Sequence, residues 1–219
     1  MKKKLYIILG FILVALFSNE KIQAQESNPG ILPDTLQVSL LTCGPGTEVY
    51  ELFGHTALRV KQQRPGGFDY VFNYGMFNFD APGFIWRFTK GETDYCLGIN
   101  DFPDFLLNYQ FRESKVDEQV LNLTPIQSRA LLEALLVNAM PQNRVYRYNF
   151  LFDNCATRPR NMVEMVLDNK VRYKEPGESL PTFREEIDRY AGICPWLIFG
   201  IDLALGSGLD RPMTYREQM

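Results

Sequence analysis

The chain has 219 residues, 46% hydrophobic and 13% aromatic, which is ample apolar material for the one core of a domain of ~100 to 200 residues. With 23 Lys and Arg against 26 Asp and Glu, its formal net charge is -3, and the absence of a basic footprint argues against a nucleic-acid partner. One histidine and four scattered cysteines, Cys43, Cys96, Cys155 and Cys194, offer neither zinc-ligand spacing nor the density of a disulfide framework, so no metal or cofactor is expected.

The chain opens with Met1-Lys2-Lys3-Lys4, an apolar run from Leu5 to Phe17, and Ile22-Gln23-Ala24-Gln25, the three parts of a secretory signal. Residues 1–24 are therefore expected to direct export and to be cut off after Ala24, the apolar run being shorter than the ~20 residues of a membrane span. No cysteine follows the run, so the chain is not itself a lipoprotein, and its expected place is the bacterial periplasm. Residues 25–35 read as a lead-in and 36–219 as a single domain. The chain stops at what reads as the start of another helix, Tyr215-Arg216-Glu217-Gln218-Met219, and is expected to be a truncated piece of a longer protein.

Residues 36–42 read as the first strand, broken by Cys43-Gly44-Pro45-Gly46, after which Thr47 caps a short predicted helix to about Phe53. From His55 to Lys61 the side chains alternate, with His55, Ala57 and Arg59 on one face and Thr56, Leu58 and Val60 on the other. That predicts a half-buried strand opening on His55, directly after Gly54. Pro65-Gly66-Gly67 marks a hairpin, and residues 69–74 return antiparallel, bringing Asn73 within reach of His55. The aromatics Phe77, Phe79, Phe84 and Trp86 read either as core and loop packing or as an apolar wall for an acyl chain.

Residues 94–99 and 115–123 are further predicted strands, with a short helix at 103–109 between them, for a sheet of about five strands. The clearest helix spans 124–140, opened by a Thr124…Gln127 capping box with Pro125 in its first turn and stopped by Pro141. Its predicted apolar stripe is Ile126, Leu131, Leu135 and Val137 with Ala130 and Ala134. Residues 144–150 are a candidate sixth strand feeding Asp153-Asn154-Cys155, and a helix follows from Cys155 to about Leu167. A boxed helix at 182–190 and an apolar helix at 195–205, interrupted by Asp202, complete an α+β domain.

A cysteine at the start of a helix is well placed for chemistry, because the helix N-terminus and a nearby imidazolium both lower a thiol pKa from its usual ~8.5. Cys155 is the candidate nucleophile, and Asn154 with the first free backbone N–H groups is a candidate oxyanion hole. His55, the only imidazole in the chain, is the candidate general base. Asn73 is the best-placed residue to orient it, with Asp69 and Tyr74 as weaker alternatives. No glycine-rich phosphate loop is present, since Cys43-Gly44-Pro45-Gly46 lacks the lysine and the length.

A histidine strand, then a polar residue on the next strand, then a cysteine opening a later helix resembles the circularly permuted branch of the papain-like fold. That branch includes NlpC-type cell-wall hydrolases and the lecithin:retinol acyltransferase (LRAT) family. More specifically, Leu41-Thr42-Cys43-Gly44-Pro45-Gly46, Phe53-Gly54-His55-Thr56-Ala57-Leu58-Arg59, Asn73-Tyr74-Gly75 and Asp153-Asn154-Cys155-Ala156-Thr157-Arg158 are similar to the N-terminal periplasmic domain of the Lnb family. The resemblance implies a mainly antiparallel sheet packed against helices, and lipoprotein N-acylation through a cysteine thioester. The acyl donor would be a phospholipid or lipoprotein, and the acceptor a lipoprotein's N-terminal amine at a membrane surface. It also makes Arg158 and Arg160 candidates for holding a lipid phosphate or carboxylate, with Tyr74 and Asn154 as further substrate-binding positions. A thiol hydrolase of the same fold, cutting peptidoglycan peptides or lipid esters, and a non-catalytic lipid- or peptide-binding domain are the alternatives.

Overall fold

The computed structural model describes residues 35–48, 51–77, 94–173, 180–192 and 194–218. The expected export segment, residues 25–34 of the lead-in, part of the helix expected from Thr47, and Phe79, Phe84 and Trp86 lie outside the described residues.

Six strands make one antiparallel sheet among the described residues. They are β1 (Leu36–Cys43), β2 (His55–Gln62), β3 (Asp69–Met76), β4 (Asp94–Asp101), β5 (Val116–Val120) and β6 (Val145–Arg147), in the order β5-β1-β2-β3-β4-β6. The expected alternation in β2 is present, but the strand is not half-buried. Ala57, Leu58, Val60 and Arg59 are all buried, because both faces of the central sheet are covered. Val38, Leu58, Val60, Phe72, Tyr74 and Leu97 face one side and pack on helices α2 (Pro125–Ala139) and α3 (Thr157–Val166) through Leu131, Leu135 and Met162. Leu41, Cys43, Ala57 and Val71 face the other side, against Phe105 of helix α1 (Phe102–Phe111).

Helix α2 starts as its sequence dictates. Thr124 Oγ1 accepts from Gln127 N–H, and Gln127 Oε1 accepts from Thr124 N–H. Its apolar stripe differs from expectation: Ser128, Leu131 and Leu135 are the buried residues, whereas Ile126 and Val137 are 82% and 51% exposed. A single file at spacing three and four meets the sheet, and the two residues flanking it point to solvent.

Toward the chain's end, helices α4 (Phe183–Ala191) and α5 (Pro195–Leu205), a 3-10 turn (Gly206–Leu209) and the short helix α6 (Tyr215–Gln218) follow. Thr182 caps α4 in a second box with Glu185. Phe183, Ile187, Ala191, Leu209 and Met213 form a third apolar cluster, against which Phe53, Phe150 and Leu151 pack. The Phe53 and Phe150 rings meet edge to face with centroids 5.0 Å apart. The loop before β2 and the turn after β6 are thereby fastened to each other.

Arg59 ties the other cluster together. It is 8% exposed, and its guanidinium donates to both carboxylate oxygens of Asp69 on β3 and, at 2.9 to 3.0 Å, to Glu118 on β5. The charged group also lies 3.4 Å from the centroid of the Phe102 ring. Removing it would leave two partly buried carboxylates facing each other's field, with the more exposed Lys61, 3.9 Å from Asp69, as a nearby cation. Arg59→Ala is therefore expected to cost ~3 kcal/mol in urea unfolding, and Arg59→Lys to restore less than half of that, because an ammonium cannot serve both carboxylates as a fork.

Candidate active site

Gly54 has φ +68°, and a Cβ there would come within 2.6 Å of the Cys43 carbonyl oxygen. Only glycine lets the loop enter β2 so close to β1. His55 follows it and pairs directly with Cys43 across the two strands. The β2–β3 register, Leu58 with Phe72 and Arg59 with Val71, sets Asn73 diagonally from His55 on the same face. Asn73 Oδ1 and His55 Nε2 are 3.0 Å apart. The Asn73 amide nitrogen in turn donates to Asn100 Oδ1 at 2.7 Å. With Asn73 Oδ1 able only to accept, the proton sits on Nε2 and leaves Nδ1 as the imidazole's basic atom.

Cys155 arrives from the opposite side. The chain makes a tight turn in which Asn149 and Asp153 exchange backbone hydrogen bonds, while Asn149 Oδ1 accepts from the N–H groups of Leu151 and Phe152. Helix α3 begins at Thr157, so Cys155 lies in the turn leading into the helix and not within its first turn. Asn154 Oδ1 accepts from the N–H groups of Ala156 and Thr157 at 2.9 Å each, and its Nδ2 donates to the Phe150 carbonyl. Gly75, at φ +87°, brings β3 alongside: a Cβ there would stand 3.3 Å from the Cys155 Cβ. The sulfur is hydrogen-bonded to His55 and also receives the backbone N–H groups of Thr56 and of Cys155 itself.

These contacts shift both groups' pKa values. Burial opposes a thiolate at Cys155, but the hydrogen bond and charge of His55 together with the two N–H donors outweigh it and lower the thiol pKa. Burial likewise opposes an imidazolium, and the Cys155 sulfur with the Asn73 carbonyl raises the His55 pKa despite it. Each group favours the charged form of the other, so both shifts run in the direction of a thiolate–imidazolium pair. Cys43, the other thiol beside His55, behaves in the opposite way. Burial pushes it up to about 11, against the hydrogen bond from Tyr109, so it stays a neutral thiol.

The expected binding residues sit differently. Asn154 Oδ1 and one amide N–H are engaged in local hydrogen bonds that shape the turn into α3. Arg158 forms a fork with Asp153, at 2.6 and 2.7 Å, and lays its guanidinium 3.5 Å over the Tyr146 ring. Arg160 donates to the Arg216 carbonyl and to Asn161, beside the Glu164–Arg216 ion pair. Tyr74 is 1% exposed within the α2/α3 core, and burial pushes its hydroxyl up to about 12. It is closed to substrate and to His55, since it faces the side of the sheet away from Asn73.

Three contributors lay beyond sequence reasoning. Asn100 stands one residue past the strand expected at 94–99. Tyr109, on α1, reaches Cys43 through tertiary packing. Tyr148 lies 4.0 Å from the position of a Gly75 Cβ and stacks on Tyr95, with centroids 4.2 Å apart, and Tyr95 meets Phe77 at 5.0 Å. An aromatic wall thus runs from beside the thiol along β4, and Phe77 is the one member of it that the sequence marked.

All four cysteines are unbridged. Among the described residues, no group of three or more His, Cys, Asp or Glu side chains is placed to hold a metal ion, and no helix is long and apolar enough to cross a membrane. No curated protein and no solved structure matches the chain. A family model described as the Lnb N-terminal periplasmic domain matches residues 26–189. That match covers more than half of the chain and takes in His55, Asn73, Asn100 and Cys155, so the protein belongs to the family of Lnb N-terminal periplasmic domains.

Proposed function

We propose that this domain is a periplasmic cysteine-dependent acyltransferase with a circularly permuted papain-like arrangement, acting in lipoprotein N-acylation. The observation that carries the reading is the hydrogen-bonded series Asn100, Asn73, His55 and Cys155, which lowers the thiol pKa. The Cys155 thiolate attacks the carbonyl carbon of an acyl ester in a phospholipid or lipoprotein. The C–S bond forms, the C–O bond breaks, and the His55 imidazolium gives its Nδ1 proton to the departing alkoxide. The backbone N–H groups of Thr56 and Cys155, which serve the sulfur before attack, are the donors available to the developing oxyanion. The N-terminal amine of a lipoprotein then attacks the thioester. The C–N bond forms, the C–S bond breaks, and the amine's proton passes to His55 as the thiolate is regenerated. Tyr148, Tyr95 and Phe77 supply an apolar side for the acyl chain.

Intact-mass and peptide mass spectrometry after exposure to bacterial phospholipid is expected to find an acyl adduct on Cys155, absent in Cys155→Ala and discharged by a peptide bearing a free N-terminal amine. No adduct under any donor would sink the reading, and an adduct discharged only by water would point to the hydrolase instead.

The titration of the pair gives a second test. Alkylation of Cys155 by iodoacetamide, followed by peptide mapping, is expected to hold its plateau rate to lower pH than an ordinary thiol of pKa ~8.5 does. The rate falls only as pH drops through the lowered thiol pKa. In His55→Ala the lowering partner is gone and burial remains, so the profile is expected to move above the ordinary thiol value. A wild-type profile centred near 8.5 would indicate the non-catalytic domain.

Asn73→Ala frees the imidazole to rotate, with an expected loss of about 10²-fold in the rate of adduct formation. Asn100→Ala leaves the Asn73–His55 bond in place and is expected to cost less. Equal rates for wild type and Asn73→Ala would remove Asn73 from the mechanism.

A further inference from the structure

Helix α5 is apolar on both sides. Leu197, Ile198 and Ile201 pack into the third cluster, while Trp196, Phe199 and Leu203 are 84%, 61% and 77% exposed. Pro195 and Gly200 are exposed beside them. The spacing of 196, 199 and 203 places the three large side chains in one stripe. The only charged residue of the helix, Asp202, is half-buried and engaged by Arg184. A helix apolar all round is ordinarily enclosed, and this one is open to solvent on one side.

Geometry narrows what covers the stripe. Eleven residues span about 16 Å, roughly half of a ~30 Å hydrocarbon core, so α5 can lie along a bilayer but not cross it. Three exposed side chains of this size present about 400 to 500 Å² of apolar surface, well short of the ~800 Å² per partner of a stable dimer. A tryptophan at the end of the stripe suits the boundary between headgroups and hydrocarbon. The stripe also stands on the cluster that holds Phe53, two residues before His55, and Phe150 and Leu151, in the turn leading to Cys155.

We infer that the Trp196, Phe199 and Leu203 stripe beds into the surface of a phospholipid bilayer and holds the domain there. The use of that docking, bringing the dyad to acyl chains, rests on the acyltransferase reading; the docking itself does not. Because the stripe carries no charge, binding is driven by apolar burial and is insensitive to salt and to anionic lipid.

The chain has two tryptophans, so Trp86→Phe leaves Trp196 as the single indole in the 219-residue chain. With phosphatidylcholine vesicles, Trp196 emission is expected to move to the blue and to be quenched at least about twofold by brominated acyl chains, equally at roughly 0.05 and 0.5 M salt. Phe199→Ser with Leu203→Ser is expected to abolish the quenching and leave the thermal midpoint unchanged. An emission that stays at the wavelength of water-exposed indole overturns the proposal, even if the apolar Leu5–Phe17 run brings the chain to the vesicle. A blue shift already present without lipid and growing with protein concentration assigns the stripe to a second copy and overturns it as well. Acyl-adduct formation on Cys155 from a detergent-dispersed donor is read separately, so failure of docking and failure of the catalytic reading are distinguishable.

Discussion

A thiolate in a half-buried site is costly, and the arrangement around Cys155 follows from how that cost is offset. Burial alone would hold Cys155 neutral, as it holds Cys43 neutral one strand away. The offset comes from one imidazolium and two backbone N–H groups, and each requires a backbone segment to come unusually close. The protein meets that requirement with glycine. Gly54 lets the chain enter β2 against the Cys43 carbonyl, and Gly75 lets β3 pass beside the Cys155 side chain, both at positive φ. The two left-handed glycines and the ion pair are one feature seen at the level of backbone and of charge.

The sheet supplies stiffness rather than chemistry. His55 and Asn73 belong to adjacent strands whose register is held by pairs from Leu58–Phe72 to Lys61–Asp69, and Arg59 locks the same strands to β5 through Asp69 and Glu118. Cys155, by contrast, sits on a turn shaped by Asn149, Asn154 and the Asp153–Arg158 fork. The Phe53–Phe150 contact joins the two supports. Loosening either support separates the charges without touching them, so stability and reactivity are coupled here through a few Å of backbone position.

What the sequence revealed depended on range. The capping boxes at Thr124 and Thr182 are complete within four residues and were legible as such. So was the approach of Asn73 to His55, because a hairpin carries its own register. Asn100 was not, since β4 follows β3 only after an intervening segment that conveys no register. The Glu118 partner of Arg59 is 59 residues away in the chain and on a strand separated by β1. Asn154 and Arg158 were legible as polar residues beside the candidate nucleophile, but not as residues with local partners: the motif identifies side chains able to bind a ligand and cannot tell whether the fold has used them. Ile126 and Val137 failed for the complementary reason, that a stripe broad enough for a groove met a sheet wide enough for one file.

The contrast between the two thiols beside His55 shows that proximity to the imidazole does not by itself make a nucleophile. Cys43 is the direct cross-strand partner of His55 and is nearly inaccessible, enclosed by Leu41, Ala57 and Phe105, and burial outweighs the support that the Tyr109 hydroxyl and the charge of Arg112 offer a negative charge. Cys155 is diagonal to that pair, on a separate element, yet it alone lies where the His55 ring, the Thr56 N–H and its own N–H converge. Tyr109 contributes to keeping the roles apart. Its hydrogen bond occupies Cys43, and its own hydroxyl, pushed far up by burial and by the nearby thiols, stays protonated and neutral. One imidazole can stabilise one thiolate, and the packing around α1, which raises the Cys43 pKa, leaves the thiol on the turn as the one whose pKa His55 lowers.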